Sequence, residues 1–271
     1  MLKVLILGGS GLVGSSIIKE LTKYNNFKVY ATYFKNKIYS NLVSSFNLDI
    51  KNLEGINNLL NKVQPDIVIS CLRGDFKAQL ILHTKTAEFL KKHNGKFYFF
   101  STTNVFDGNL NTPHYENDIP NSQTEYGKYK IECEKMLINL LGSKSCILRI
   151  PAVWAKNSKR MDKLISTLKD NKEIILYPKL FINTNTDVII AKQLCHIIRN
   201  DLKGIFHLTS SASVNYKDFY IKLIEQLGFK NARILESFEE KGYFSILSTR
   251  SNEFPSDLII TNDYVISYLT K

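Results

Sequence analysis

A chain of 271 residues, 44 % apolar and 23 % charged, has the balance of an ordinary folded globule. That excludes a disordered tail, and a core of this size needs no disulfide or metal staple. The net charge of +11 rests on lysines scattered among acidic residues, without a helix-turn-helix, finger or aromatic RNA-binding signature. It reads as a basic pocket for an anionic small molecule and not as a nucleic-acid surface.

The N-terminal run Lys3–Leu7 meets glycines too soon for a signal peptide. No apolar stretch approaches the roughly 20 residues that span a bilayer. A cytoplasmic protein without membrane contact is expected. Cys71, Cys133, Cys146 and Cys195 form no CxxC or paired pattern and read as small buried hydrophobes of a reducing compartment. His83, His93, His114, His196 and His207 lack ligand spacing, so no metal is expected.

Strand and helix signals alternate along the first half of the chain. Val4–Leu7 is an apolar strand, followed by Ile17, Ile18 and Leu21 at helical spacing. Phe27–Thr32 and Phe46–Leu48 read as strands, Asn57–Val63 as a helix, and Ile67–Cys71 as the next strand. A longer helix passes through Leu80, Thr86 and Leu90 and stops near Asn94-Gly95. Phe97–Phe100 is the candidate central strand, Tyr126–Leu141 a helix, and Cys146–Ile150 another buried strand.

Beyond Pro151, helices around Met161–Leu168, Val188–Ile198 and Tyr216–Leu227 alternate with short strands Ile174–Leu176 and Ile205–Leu208. The pattern predicts an α/β fold, a Rossmann-type doubly wound parallel sheet with a small C-terminal α/β substrate lobe. Residues 1–150 would form the dinucleotide-binding domain. Residues 151–271 would mostly form the lobe, with segments returning to the sheet.

Gly8, Gly11 and Gly14 stand three apart between a strand and an amphipathic helix. The first permits a tight turn, the second lets backbone approach a phosphate, and the third lets helix pack on strand. The first helical residues, Leu12 and Val13, belong to a helix N-terminus whose free N–H groups and positive dipole suit a pyrophosphate. After the second strand, Ala31–Lys37 carries Lys35 and Lys37 where NAD sites commonly place an acid. Lysine there attracts a 2′-phosphate, which favours NADP(H) over NAD(H).

Tyr126 and Lys130 lie four apart near the start of a helix and share a face. A neighbouring ammonium is expected to lower the phenol's pKa from about 10 and fit it for proton transfer to a ketone oxygen. The strand ending in Ser101-Thr102-Thr103 offers a hydroxyl to hold the same oxygen.

The glycine turn with Tyr-x-x-x-Lys in mid-chain resembles the extended short-chain dehydrogenase/reductases. The likeness is to their dTDP-4-dehydrorhamnose reductase and sugar-nucleotide reductase branch. Ser101–Gly108 is similar to that branch's Ser-Thr-Asp-Tyr-Val-Phe-Asp-Gly. Tyr115–Asp118, Leu148–Pro151 and Gly204–Leu208 resemble further family segments, so the likeness spans about residues 1–230.

The resemblance implies Thr102, Tyr126 and Lys130 as catalytic residues, with Tyr126 and Lys130 also at the cofactor. It implies Asp49 and Ile50 beside the adenine, and Ser70, Cys71 and Leu72 along the ribose. Thr103, Asn104, Val105 and Trp154 would meet the substrate, a nucleotide sugar of polysaccharide biosynthesis whose 4-keto group is reduced. A homodimer is compatible with the reading.

The sequence departs from the family at several points. Thr103 and Asn104 stand for Asp and Tyr, Ala152 stands where relatives tend to have Trp, and Arg73 puts a bulky cation near the cofactor. Arg73 reads as solvent-facing, a phosphate contact being the other reading. Two further functions stay open: an NAD-dependent epimerase or a dehydratase, for the latter of which Thr103-Asn104 supply no acid, and a non-catalytic NADP-binding regulatory subunit.

Overall fold

The computed structural model describes residues 1–271. The first half runs β1 (Leu2–Leu7), α1 (Leu12–Leu21), β2 (Phe27–Tyr33), β3 (Val43–Asn47), α2 (Leu53–Val63), β4 (Ile67–Ser70), α3 (Phe76–Lys92), β5 (Lys96–Thr102), α4 (Glu125–Leu141) and β6 (Ser145–Ile150). The second half runs β7 (Ala152–Trp154), α5 (Lys159–Lys169), β8 (Ile174–Leu176), β9 (Lys179–Ile182), β10 (Thr184–Thr186), α6 (Asp187–Arg199), β11 (Gly204–His207), β12 (Val214–Asn215), α7 (Tyr216–Gln226), β13 (Ile234–Glu236), β14 (Lys241–Phe244) and α8 (Asn262–Thr270).

Seven strands form one sheet in the order β11-β6-β5-β4-β1-β2-β3, and every pairing in it is parallel. Val4–Leu7 and Ile67–Ser70 are buried throughout because helices cover both faces. On one face α1 and α6 bring Ile17, Ile190 and Leu194 onto Val4, Ile6 and Val29. On the other, α2, α3 and α4 bring Leu59, Leu82 and Cys133 onto Leu5, Val68 and Phe97. The chain leaves β1 toward β2 on one side and returns to β4 on the other. That reversal opens a crevice at the strands' carboxyl ends, the usual ligand position in such sheets.

The lobe has its own core around Trp154, Met161, Phe219 and Val265. Its strands are short: β9 lies between antiparallel β12 and parallel β14, while β8 pairs with β13 and β7 with β10. In contrast, α6 and β11 pack into the main sheet.

The expected strands and helices of the first half are present with shifted ends. The third strand is Val43–Asn47 and not Phe46–Leu48, because its register is set by pairing with β2. β5 lies one place from the centre, which β4 occupies. The strands β7, β9, β10, β12, β13 and β14 and the helix α8 add to the expected elements. No helix is long and apolar enough to cross a membrane.

Candidate active site

The turn after β1 has the geometry of a phosphate cradle. Gly8 has φ +80°, a left-handed conformation that side chains rarely adopt. A Cβ at Gly14 would run into the Gly8 carbonyl oxygen, so α1 packs on the turn only with glycine there. Gly11 caps α1 without a side-chain hydrogen bond, and the first intrahelical donor beyond it is Ser15 N–H. The backbone donors at Leu12 and Val13 therefore stay available to an anion at a positive dipole end. These features fit a dinucleotide pyrophosphate.

Neighbouring loops converge on this turn. Gly8 N–H donates to Thr32 Oγ1 (2.9 Å) and Gly9 N–H to the Thr32 carbonyl (2.8 Å), which fixes the end of β2 beside it. Lys35 and Lys37 follow on an exposed loop. A Cβ on Gly8 would lie 3.1 Å from the Cys71 carbonyl oxygen and 3.3 Å from Leu72 Cδ2, so those residues border the cradle. Burial pushes the Cys71 thiol up to about 12, which keeps it neutral. Ile50 is half-buried, and exposed Asp49 accepts the Lys51 N–H (2.9 Å) in a turn.

Thr102 ends β5, and its hydroxyl caps the 3-10 turn Thr103–Phe106. That hydroxyl donates to Asn104 Oδ1 (2.9 Å) and accepts from Asn104 N–H (3.3 Å). Tyr126 stands in the first turn of α4, whose start is fixed by Asp107. The Asp107 carboxylate accepts from the Ser122 hydroxyl (2.7 Å), Gln123 N–H (2.7 Å) and the Thr124 hydroxyl (2.6 Å). Burial raises its pKa, but these donors outweigh burial and hold it below the ordinary value. Gly127 lets the helix approach so closely that a Cβ there would strike the Ser122 hydroxyl and the Asn104 carbonyl.

The phenol of Tyr126 packs against Phe76 (5.7 Å between centroids), and Phe76 stacks on Tyr129 (4.9 Å). Lys130 Nζ donates to the Phe100 carbonyl (2.7 Å) and lies 5.8 Å from the Tyr126 ring centroid. Thr102, Tyr126 and Lys130 are thus brought together at the carboxyl end of β5.

Their electrostatics correct one expectation. Burial raises the Tyr126 pKa, while the Thr102 hydroxyl and the Arg73 guanidinium pull it down only in part. The phenol is neutral at physiological pH, in the state of a proton donor. Burial lowers Lys130 to about 8, against the upward pull of Cys133, Cys71 and Glu134. Arg73 is exposed, as expected, yet its charge reaches both Tyr126 and Lys130.

Four of the expected contact residues carry their side chains turned inward. The Ser70 hydroxyl is 2.7 Å from His83 Nε2 in the interior and turns away from the crevice. Thr103 donates to the Ile150 carbonyl (3.4 Å) and is 3 % exposed. Val105, fully buried, packs with Phe106 and Ile246. Trp154 is 1 % exposed, its ring held between Phe219, Tyr220 and Arg160 in the lobe core. Of the four residues expected at the substrate, only Asn104 keeps a half-buried side chain beside Thr102. Sequence reading missed Asp107 and Gly127, although both stand inside the quoted motifs.

Fold and sequence family together place the chain among the extended short-chain dehydrogenase/reductases, NAD(P)-dependent oxidoreductases. The chain belongs to the RmlD substrate binding domain family, which matches residues 2–246. A dTDP-4-dehydrorhamnose reductase of Aggregatibacter actinomycetemcomitans is 25 % identical over 245 residues, covering 83 % of this chain and 79 % of that protein. The methionine adenosyltransferase 2 subunit beta of Danio rerio is 22 % identical over 266 residues, 88 % of this chain and 78 % of its own.

Among solved structures, a dTDP-4-dehydrorhamnose reductase of Clostridium acetobutylicum superposes with a TM-score of 0.83 at 21 % identity, covering 99 % and 98 % of the two chains. The Bacillus anthracis reductase, solved in complex with NADP, gives 0.82 at 17 % identity with the same coverage.

Proposed function

We propose that this chain reduces the 4-keto group of a nucleotide-linked deoxysugar with NADP(H) as its cofactor. The observation that carries the reading is the meeting of Thr102, Tyr126 and Lys130 beside a glycine cradle fit for a dinucleotide. Lys35 and Lys37 on the loop after β2 support the 2′-phosphorylated cofactor. The family and the reductases it resembles support the sugar-nucleotide substrate.

Gly8, Gly11 and the α1 N-terminus would hold the pyrophosphate, and the bound cofactor supplies a hydride to the carbonyl carbon. Thr102 turns its hydroxyl from Asn104 to the carbonyl oxygen and orients it. Tyr126, neutral through burial, passes its proton to that oxygen as negative charge develops there. The phenolate left behind is stabilised by the Thr102 hydroxyl, the Arg73 guanidinium and the Lys130 ammonium nearby. Phe76 packs against the phenol ring and fixes its position at the start of α4.

The test is NADPH oxidation with a panel of 4-keto nucleotide sugars, alongside thermal shifts with NADP(H) and NAD(H). Turnover with at least one sugar and a larger shift with NADP(H) are expected. NADP(H) binding with turnover of none of them defeats the reductase reading, and a stable complex with a partner enzyme would then support a regulatory subunit.

A further inference from the structure

Beneath the three site residues lie three buried polar groups that the reaction above leaves unused: Ser101, Glu134 and Arg149. Tyr126, Lys130 and Glu134 follow at four-residue steps on α4 and share the face turned to β5. Lys130 grips the Phe100 carbonyl; one turn on, the Glu134 carboxylate accepts from the Ser101 hydroxyl. Glu134 also accepts from Arg149 Nε (3.2 Å) and Nη2 (2.8 Å). Ser101 and Arg149 are register partners on β5 and β6. The helix therefore holds the strand at Phe100 and Ser101, the two residues before Thr102.

Both ends of the ion pair are almost fully enclosed, Glu134 at 3 % and Arg149 at 1 % exposure. Such a pair is weak evidence for stability, since apolar side chains of equal volume often serve as well. An apolar pair would lack two properties of this one: directional bonds that fix the end of β5 against α4, and a negative charge near a buried ammonium.

That charge has no substitute close by. The groups facing Lys130 are Tyr126, Tyr129, Cys133 and Glu134 on its own helix, Cys71 and Arg73 on the turn after β4, and His83 on α3; burial raises both phenols and keeps them neutral. Burial pushes both thiols up to about 12, and burial with the Lys130 charge pulls His83 down to about 3. All three are neutral at physiological pH. Glu134 is then the one anion of the group, opposed by Arg73 and by Arg149, with which it is paired.

We infer that Glu134 is a positioning residue, setting the Thr102 hydroxyl against Tyr126 through Ser101 and acting as the counter-charge that keeps Lys130 an ammonium. Its kinetic consequence rests on the reductase reading; its effect on Lys130 does not.

The test follows the Lys130 titration by NMR in protein carrying 13Cε-labelled lysine, the signal being assigned by its absence in Lys130→Arg. In Glu134→Gln the midpoint falls by about one pH unit or more, and the alkaline limb of kcat falls with it. Ser101→Ala leaves the midpoint in place but lowers kcat about tenfold, with the KM for NADPH unchanged, because only the strand end loosens. Should Glu134→Gln not fold, Glu134→Gln with Arg149→Met removes the orphaned cation and still weakens the bond to Ser101; full kcat in that double variant overturns the positioning role. An unmoved Lys130 midpoint in the folded variant overturns the counter-charge role, and full kcat in Ser101→Ala overturns the positioning role. A wild-type protein without turnover defeats the reductase reading, while the Lys130 midpoint still decides the role of Glu134.

Discussion

Gly14 lies so close to the carbonyl oxygen of Gly8 that a single Cβ would collide with it. The contact brings α1 down on the end of β1 and aims its N-terminal donors at the crevice. Gly14→Ala must shift the helix or the turn, at a cost of about 1–3 kcal/mol. We expect a lower melting temperature and a thermal shift with NADP(H) that is reduced or lost. Undiminished NADP(H) stabilisation in Gly14→Ala would show that the cofactor sits elsewhere.

Lys35 and Lys37 are exposed, so their removal should leave folding untouched. The double variant Lys35→Ala with Lys37→Ala should weaken NADPH about tenfold or more relative to NADH, since a 2′-phosphate loses a charge-assisted partner. Titration of both cofactors against wild type checks this. An equal effect on NADH and NADPH would remove the basis for preferring NADP(H).

His83 is fully buried, with its Nε2 against the Ser70 hydroxyl and its Nδ1 facing Cys133. Burial first, and the Lys130 charge second, bring its folded pKa from 6.5 to about 3. The unfolded chain thus takes up a proton below pH 6.5 that the native protein refuses. This part of the stability is complete above pH 6.5 and declines as the pH falls toward 3. His207, lowered by burial to about 4, acts in the same direction. Urea midpoints measured from neutral pH to about pH 5 should fall, and His83→Gln should flatten that slope. The same slope in His83→Gln and wild type would assign the acid sensitivity to other groups.

The sheet and the cradle were legible because their signals are local. A glycine every third residue between an apolar strand and a helix is written in seven consecutive positions, and Tyr126 and Lys130 lie one turn apart. The lobe strands β9, β12 and β14 were not, since four residues or fewer carry little pattern and their pairing joins distant segments. α8 had a readable signal in Thr261 as cap and Val265, Ile266 and Leu269 at helical spacing.

The inward turn of these side chains has one cause that local sequence does not announce. Trp154, Val105 and Ser70 turn inward because Phe219, Ile246 and His83, remote in sequence, wait there to enclose them. The direction of the Tyr126 shift was missed for the same reason: spacing announces a neighbouring charge but not the burial that outweighs it.

The central claim is that Tyr126 gives a proton to a sugar-nucleotide ketone. It is tested most directly by comparing wild type and Tyr126→Phe in NADPH oxidation with a dTDP-4-keto-deoxysugar, with cofactor affinity measured on both proteins. Phenylalanine keeps the packing on Phe76 and removes only the hydroxyl. Wild type should turn over, the variant should lose roughly a hundredfold or more in kcat, and cofactor affinity should stay within about threefold. Equal turnover by the two proteins would contradict the claim.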